Sequence, residues 1–324
     1  SRIERLGSKM RYLSELRDGE MFKETYLCKQ LQILKTKAGK SYYSLLVQDK
    51  TGIKDAKVWE LGPGIEHFDT MDYIHIEGQV TSFQGSLQLN VKRVRKCQEG
   101  EYDPANYMPS TDKNVEDMYK ELLRYIDKMK EPHVKQLAQS FFVDDKDFAL
   151  RFKRHSAAKS VHHGFMGGLL EHTLGVVRLC DYLADNYPII QRDLLLVSAM
   201  FHDLGKLEEI SSFPENDYTD EGNLLGHIFI GTAKLNERMK TIPGFPKKMA
   251  SEIMHCILAH HGELEYGSPK KPALMEALAL SMADNLDAKL QTMKEILTGD
   301  EDKNDWLGFQ RLFDSNVRRS SDYE

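Results

Sequence analysis

Near its hundredth residue the chain changes hydrophobic period, and few architectures accommodate that change. From about Glu20 to Lys96 apolar residues recur at every second position, whereas from Asn114 onward they recur at every third or fourth. Strands therefore build the first part and helices the second. With 324 residues, 41% of them hydrophobic, there is enough apolar material for a separate core in each.

In the first part Tyr43, Leu45 and Val47 alternate with Ser44, Leu46 and Gln48. Ile74, Ile76 and Val80 alternate with His75, Glu77 and Gln79, and Leu87, Leu89 and Val91 with Gln88, Asn90 and Lys92. One face of each strand is core. Turn signals at Lys37 to Lys40, Asp49 to Gly52, Gly62 to Gly64 and Gln84 to Ser86 leave five strands in about eighty residues. Such a set suits a small closed barrel better than a sandwich, and an OB-fold is the economical choice, another small barrel being the alternative. Gln98 to Asp112, with Pro104, Pro109 and several acidic residues but no apolar period, reads as a linker. Met118, Leu122, Tyr125 and Met129 then open a helical region that runs to about Leu297, with a first break at Pro132. The expected organisation is an all-β barrel over 1–97, a linker and connecting helices over 98–150, an all-α bundle over 151–298, and a C-terminal tail over 299–324 that either docks or is partly disordered.

Charge is divided unevenly between these parts. Residues 1–100 hold 17 Lys and Arg against 13 Asp and Glu, a balance of +4, so the remainder carries −10 of the net −6. A basic module on an acidic body fits a polyanionic partner. No stretch approaches the ~18 consecutive apolar residues of a membrane helix, and SRIERLGSKM at the start of the sequence has no apolar signal segment. Neither membrane insertion nor Sec-type export is expected. Cys28, Cys97, Cys180 and Cys256 are far apart and form no CxxC pair, which favours a reducing, cytoplasmic setting over a disulfide framework.

The most informative residues are histidines and aspartates set in apolar helices. In DLLLVSAMFHDLGK, Asp193 to Lys206, hydrophobic residues surround the helix on nearly every side, so His202 and Asp203 should be buried with it. A carboxylate taken out of water costs several kcal/mol unless it is paired or binds a metal. The structural alternative is a helix end at which His202 and Asp203 emerge near Gly205. Asp284 sits among Leu278, Leu280, Met282 and Ala283, and His172 lies between Leu170 and Leu174. His260 and His261 end another helix just before Gly262, and His227 begins one at Gly226. Any one of these would ordinarily be a satisfied core or cap residue. Five histidines over four apolar segments, with two aspartates, are a ligand set for divalent Mn, Fe, Co, Ni or Zn, and a carboxylate can bridge two such ions. Metal-assisted hydrolysis is the chemistry this suggests.

The order His172, His202-Asp203, His227, His260-His261, Asp284 resembles the HD-domain phosphohydrolase pattern, in which a helical bundle holds one or two divalent cations. The segments HHGFMGGLLEHTLGV, FHDLGKLEE and LAHHGELEYGSP, following a small barrel, are similar to the YhaM family of bacterial 3′-to-5′ exoribonucleases over roughly residues 15–300. The resemblance implies a first ion held by His172, His202, Asp203 and Asp284, and a second held by His227, His260 and His261 with Asp203 as the bridge. Mn2+ is the implied metal, with Co2+, Fe2+, Ni2+ or Mg2+ as alternatives, and the implied step is attack of a metal-activated water on a phosphodiester.

Lys206, four residues after His202 and three after Asp203, falls on their helical face if the helix continues, and could contact the scissile phosphate or the leaving oxygen. Facing a helix dipole is its structural alternative. Upstream, Lys159, His162 and His163 are candidate phosphate contacts. On the barrel, Tyr42 points outward and Tyr43 inward by alternation, Trp59 could do either, and Lys57 is among the nearby cations, so Tyr42, Lys57 and Trp59 are the candidates for stacking and backbone contact with a single strand. The leading expectation is a 3′-to-5′ exonuclease on single-stranded RNA, with single-stranded DNA as a further substrate, working as a homo-oligomer. The alternatives are a nucleotide or cyclic-nucleotide phosphohydrolase whose barrel serves regulation or oligomerisation, and a nucleic-acid-binding adaptor with a structural metal.

Overall fold

The computed structural model describes residues 9–159, 162–299 and 305–321. The first eight residues of the expected barrel domain, and residues 300–304 and 322–324 of the expected tail, lie outside them. The chain divides into two compact units: the first runs to Ser110 and takes in Phe213–Glu215, and the second holds the rest from Thr111 onward.

Five strands form the first unit: β1 (Met21–Lys35), β2 (Ser41–Asp49), β3 (Gly52–Val58), β4 (Tyr73–Phe83) and β5 (Ser86–Lys96). They close into a barrel in the order β1-β2-β3-β5-β4, the arrangement of an OB-fold. Closure comes from the parallel pairing of β3 with β5, in which Ala56 stands opposite Leu89. Leu45, Val47, Ile74, Ile76, Val80, Leu89 and Val91 fill the interior, as the alternation requires. Tyr43 is half-buried against the same core, edge-on to Phe68 at 5.8 Å.

Composition misleads at the expected linker. Tyr107 and Met108 are buried, Tyr102 stacks on Tyr73 at 3.7 Å, and the Gln48 amide donates to the Tyr107 carbonyl at 3.0 Å. The segment after Lys96 therefore packs on the barrel, held by three tyrosine rings that a count of prolines and acidic residues does not register.

Nine helices are described in the second unit: α1 (Val115–Asp127), α2 (Pro132–Phe142), α3 (Lys146–Arg154), α4 (Gly168–Asn186), α5 (Arg192–Phe201), α6 (Lys206–Glu209), α7 (Asp220–Thr241), α8 (Lys247–Leu258) and α9 (Met275–Gly299). Asn114 caps α1 by accepting from the Asp117 amide, and Pro132 opens α2 rather than merely ending α1. α7 starts earlier than expected, at Asp220, and is interrupted at Gly226, so that His227 begins its second stretch. At the middle of the bundle the Phe201 ring meets Phe141 at 5.0 Å and Phe142 at 5.3 Å. This aromatic cluster seats the end of α5, the point from which His202 and Asp203 follow. The described part of the tail is a hairpin of β6 (Trp306–Gln310) and β7 (Ser315–Arg318).

Candidate metal centre

Five segments deliver the predicted ligands: α4 carries His172, the turn after α5 carries His202 and Asp203, α7 carries His227, α9 carries Asp284, and the last is the turn after α8. His260 and His261 follow the end of α8. α7 reaches the centre only because residue 205 is glycine. A Cβ there would lie 1.9 Å from the His227 carbonyl oxygen and 2.8 Å from the Gly231 nitrogen. The bare Cα lets the two backbones touch, which brings His227 beside Asp203.

One cluster is formed by His172 Nε2, His202 Nε2, Asp203 Oδ2 and Asp284 Oδ1. The two imidazole nitrogens are 3.1 Å apart, and His172 Nε2 is 2.8 Å from Asp284 Oδ1. Asp203 Oδ2 is 3.4 Å from His172 Nε2 and 3.3 Å from His202 Nε2. Ligands held ~2.1 Å from one ion stand about 3.0 Å apart at right angles and about 3.4 Å apart in a tetrahedron. These spacings are those of atoms around a common cation. His227, His260 and His261 form a second cluster, and the other oxygen of the same aspartate faces it: Asp203 Oδ1 is 3.5 Å from His227 Nε2 and 3.6 Å from His260 Nε2.

Tautomers settle which nitrogens are free to bind. His202 Nδ1 is 2.7 Å from the Ala199 carbonyl, His260 Nδ1 is 2.6 Å from the Ile257 carbonyl, and His261 Nδ1 is 2.9 Å from the Tyr266 carbonyl. A carbonyl only accepts, so each Nδ1 carries the proton and donates it. His172 Nδ1 meets Asp287 Oδ2 at 2.7 Å and His227 Nδ1 meets Glu209 Oε2 at 3.0 Å, with the same result. All five rings thus commit Nδ1 outward and turn Nε2 inward, the atom that would bind a metal once the cation displaces any proton on it, the arrangement that outer hydrogen bonds impose on metal-binding histidines. His227 Nε2 and His260 Nε2 are buried and make no hydrogen bond within the described residues. Orphaned polar atoms cost roughly 1–3 kcal/mol each, so two aimed at one place, with Asp203 Oδ1 facing both, fit a divalent cation.

The electrostatics agree. Burial would raise the Asp203 pKa, but His202 and Lys206 outweigh it and hold the carboxyl well below its usual range. Burial would likewise lower His202, yet Asp203 and Asp284 lift it to about 10. Buried His260 and His261 are pushed down. The carboxylates therefore make a cavity that attracts positive charge, while the second cluster offers neutral imidazoles. Lys206 Nζ is 3.0 Å from Asp203 Oδ2, and although burial disfavours its charge, Asp203 and Asp284 keep it protonated.

A cavity of about 390 Å³ opens over this centre, lined in part by His162, His172, Asp203, Lys206, His260 and Asp284. His162 donates through Nδ1 to Thr292 Oγ1 at 3.2 Å, the hydroxyl proton being committed to the Ala288 carbonyl. Its neighbour His163 departs from the expectation of a phosphate contact. It is 2% exposed and packs behind His172, ring centres 5.1 Å apart, with Nε2 at 3.8 Å from both Glu171 and Asp287. Lys159 pairs with Asp217 at 2.6 Å and is not among the cavity-lining residues. On the barrel, the Tyr42 and Trp59 rings meet at 4.5 Å, tilted by 31°, with Trp59 38% exposed, and Lys57 reaches the Ser44 hydroxyl beside them.

Sequence reasoning missed Asp287 and Glu209, which orient His172 and His227. Asp287 carried a signal: it lies one helical turn beyond Asp284. Its seat is cleared by Gly175, where a Cβ would stand 2.3 Å from Asp287 Oδ1. Glu209 lay unremarked in the segment KLEE.

A helical bundle whose inward-facing histidines share one aspartate defines an HD-domain protein, and the HD domain model matches residues 169–289. The chain is 32% identical over 261 residues to the 3′-5′ exoribonuclease YhaM of Geobacillus sp. (strain WCH70), across 80% of this chain and 79% of that protein. It belongs to the YhaM family. Among solved structures, the second OB-fold domain of replication protein A from Methanococcus maripaludis is 16% identical and covers 29% of this chain and 100% of its own, with a TM-score of 0.24. A replication protein A heterotrimer bound to single-stranded DNA is 16% identical and covers 27% of this chain and 64% of its own, with a TM-score of 0.21.

Proposed function

We propose that the chain is a metal-dependent 3′-to-5′ exonuclease that shortens single-stranded RNA, with single-stranded DNA as a second substrate, one 5′-mononucleotide at a time. The observation that carries this reading is Asp203, whose two oxygens face two separate groups of imidazole Nε2 atoms. Divalent ions held there would supply a water of lowered pKa and offset the negative charge that grows on the phosphate oxygens. Mn2+ is the proposed metal, its preference for carboxylate oxygens being met by Asp203 and Asp284, with Co2+, Fe2+, Ni2+ or Mg2+ as alternatives.

The side chains divide the remaining work. His172, His202, Asp203 and Asp284 hold one ion and His227, His260 and His261 the other, with Asp287 and Glu209 keeping His172 and His227 turned inward. Lys206, cationic and on the cavity wall, donates to a phosphate oxygen or to the departing 3′-oxygen. Water oxygen bonds to phosphorus, the P–O3′ bond breaks, and the released 3′-oxygen gains a proton. The outer face of the barrel, with Tyr42, Trp59 and Lys57, supports holding of the upstream strand by stacking and charge.

A homo-oligomer is proposed from the exposed apolar side chains of α7, among them Leu224, 82% exposed, and Phe229, 56% exposed. Cytoplasmic location is proposed from four buried free thiols. Among the described residues no helix is long and apolar enough to cross a membrane.

Digestion of 5′-labelled RNA with Mn2+, with Mg2+ and with chelator tests the reading. A ladder that shortens one nucleotide at a time with Mn2+ and vanishes with chelator is expected. Intact RNA beside hydrolysed free nucleotides would move the assignment to a nucleotide phosphohydrolase.

A further inference from the structure

The cavity over the metal centre is polar at its floor and apolar along its rim. The rim side chains are Tyr266, Met282 and Leu312, exposed to 69%, 60% and 57%. Single exposed apolar residues are ordinary on any surface. Here three come from separate elements and converge on one opening: Tyr266 from the turn Leu264–Tyr266, Met282 from α9, and Leu312 from the tip of the β6–β7 hairpin. Two of them are tied in place. The Tyr266 carbonyl accepts from His261, and Arg319 donates from Nε at 3.1 Å to the Leu297 carbonyl, fastening the hairpin to the last turn of α9 where carbonyls lack helical partners. Along α9, Met282 shares a stripe with Asn285, Lys289 and Thr292, which also line the cavity, so the wall passes from apolar to polar and cationic.

We propose that this rim is a clamp for the terminal nucleobase, seated between the Tyr266 ring, Met282 and Leu312, with Asn285 and Lys289 on the terminal sugar-phosphate. The proposal rests on the exonuclease reading and specifies how a strand end is recognised. An aromatic face, a polarizable thioether and a branched aliphatic side chain contact the π-face common to every base, so the clamp senses the presence of a base rather than its identity. The cavity's 390 Å³ lies at the small end of the ~300–1,000 Å³ of ligand pockets, a size for one nucleotide. Leu312 lies beyond residues 169–289, so the hairpin completes a site that the HD domain alone leaves open.

The test uses the full-length protein with Mn2+ and two 5′-labelled oligomers, one ending in a natural 3′ nucleotide and one in an abasic residue. The first cleavage should favour the natural end by roughly tenfold in kcat/KM. Tyr266→Ala and Leu312→Ala should each bring that ratio toward one, and Tyr266→Phe should preserve it. Because both substrates meet the same enzyme sample, a misfolded fraction leaves the ratio untouched. Absence of preference in the parent protein, or a ratio that neither alanine variant changes, overturns the clamp. Failure of the parent protein to cleave either oligomer overturns the exonuclease reading, and the clamp with it.

Discussion

The barrel and the helical unit handle polar side chains in opposite ways. The barrel fills its interior with Leu45, Val47, Ile74, Ile76 and Leu89 and leaves Tyr42, Trp59 and Lys57 at or near its outer surface. The helical unit buries His172, His202, Asp203 and His260 to 3% exposure or less. Exposed groups are individually replaceable, because water takes over from each lost contact. Buried ones depend on one another, since removing one strands the partners in a dry cavity. Changes in the helical unit should therefore be severe and local to the chemistry, and changes on the barrel graded and local to binding.

The sharpest way to break this contrast is Asp203→Ala. Both ions lose a ligand, so metal content should fall and activity should drop by more than about 10³. Near-normal turnover with full metal by elemental analysis would remove Asp203 from the centre. Lys206→Ala should cost about 10²–10³ in kcat while the metals stay bound, because a donor to the reacting phosphate is gone while every proposed ligand remains, the bound cation itself offsetting the charge of Asp203. An unaltered kcat would assign Lys206 a purely structural role. Next comes Asp287→Asn, expected to weaken metal affinity by about 10–100-fold through loss of the His172 orientation, read by competition with a chelating dye.

Trp59→Ala tests the other side of the comparison. One lost stacking platform should weaken binding of single-stranded RNA by ~1–3 kcal/mol, measured by fluorescence anisotropy. Equal affinity would take the outer barrel face off the path of the strand.

The smallest effect concerns His155, a buried ring that contacts the Lys206 carbonyl at 2.9 Å and whose pKa burial lowers to about 4. Above about pH 6.5 the ring is neutral folded and unfolded, and contributes no pH dependence. Between about 6.5 and 4 the unfolded chain takes up a proton that the folded one refuses, so stability falls as pH falls; below about 4 the loss is complete. Relative to pH 7.5 the loss at pH 5.5 should be roughly 1 kcal/mol, and His155→Gln should remove it. Urea midpoints at the two pH values check this, and parallel shifts in both proteins would exclude His155 as the source.

Periodicity, ligand types and their order along the chain were legible because each is local. A strand alternates and a helix repeats at 3.6 residues whatever surrounds it, so the barrel strands, the helices bearing His172 and Asp284 and the helix that ends just before His202 could be read directly. The irregular segments could not. His162 and His163 are adjacent and chemically alike, yet one lines the cavity and the other, at φ 63°, turns behind His172. No repeating pattern assigns a face to residues in such a turn.

By itself, then, the sequence determined a barrel, a helical body and the histidines and aspartates available for metal. Only the tertiary structure decided that the two oxygens of Asp203 face different clusters, that Asp287 and Glu209 stand behind the rings, and that Leu312 reaches the cavity rim. Those outcomes depend on contacts between distant segments: the gap left by Gly175, the close approach at Gly205 and the bond from Arg319 to the end of α9. Local periodicity states which face of an element is apolar, but the packing of one element on another states what each polar atom meets.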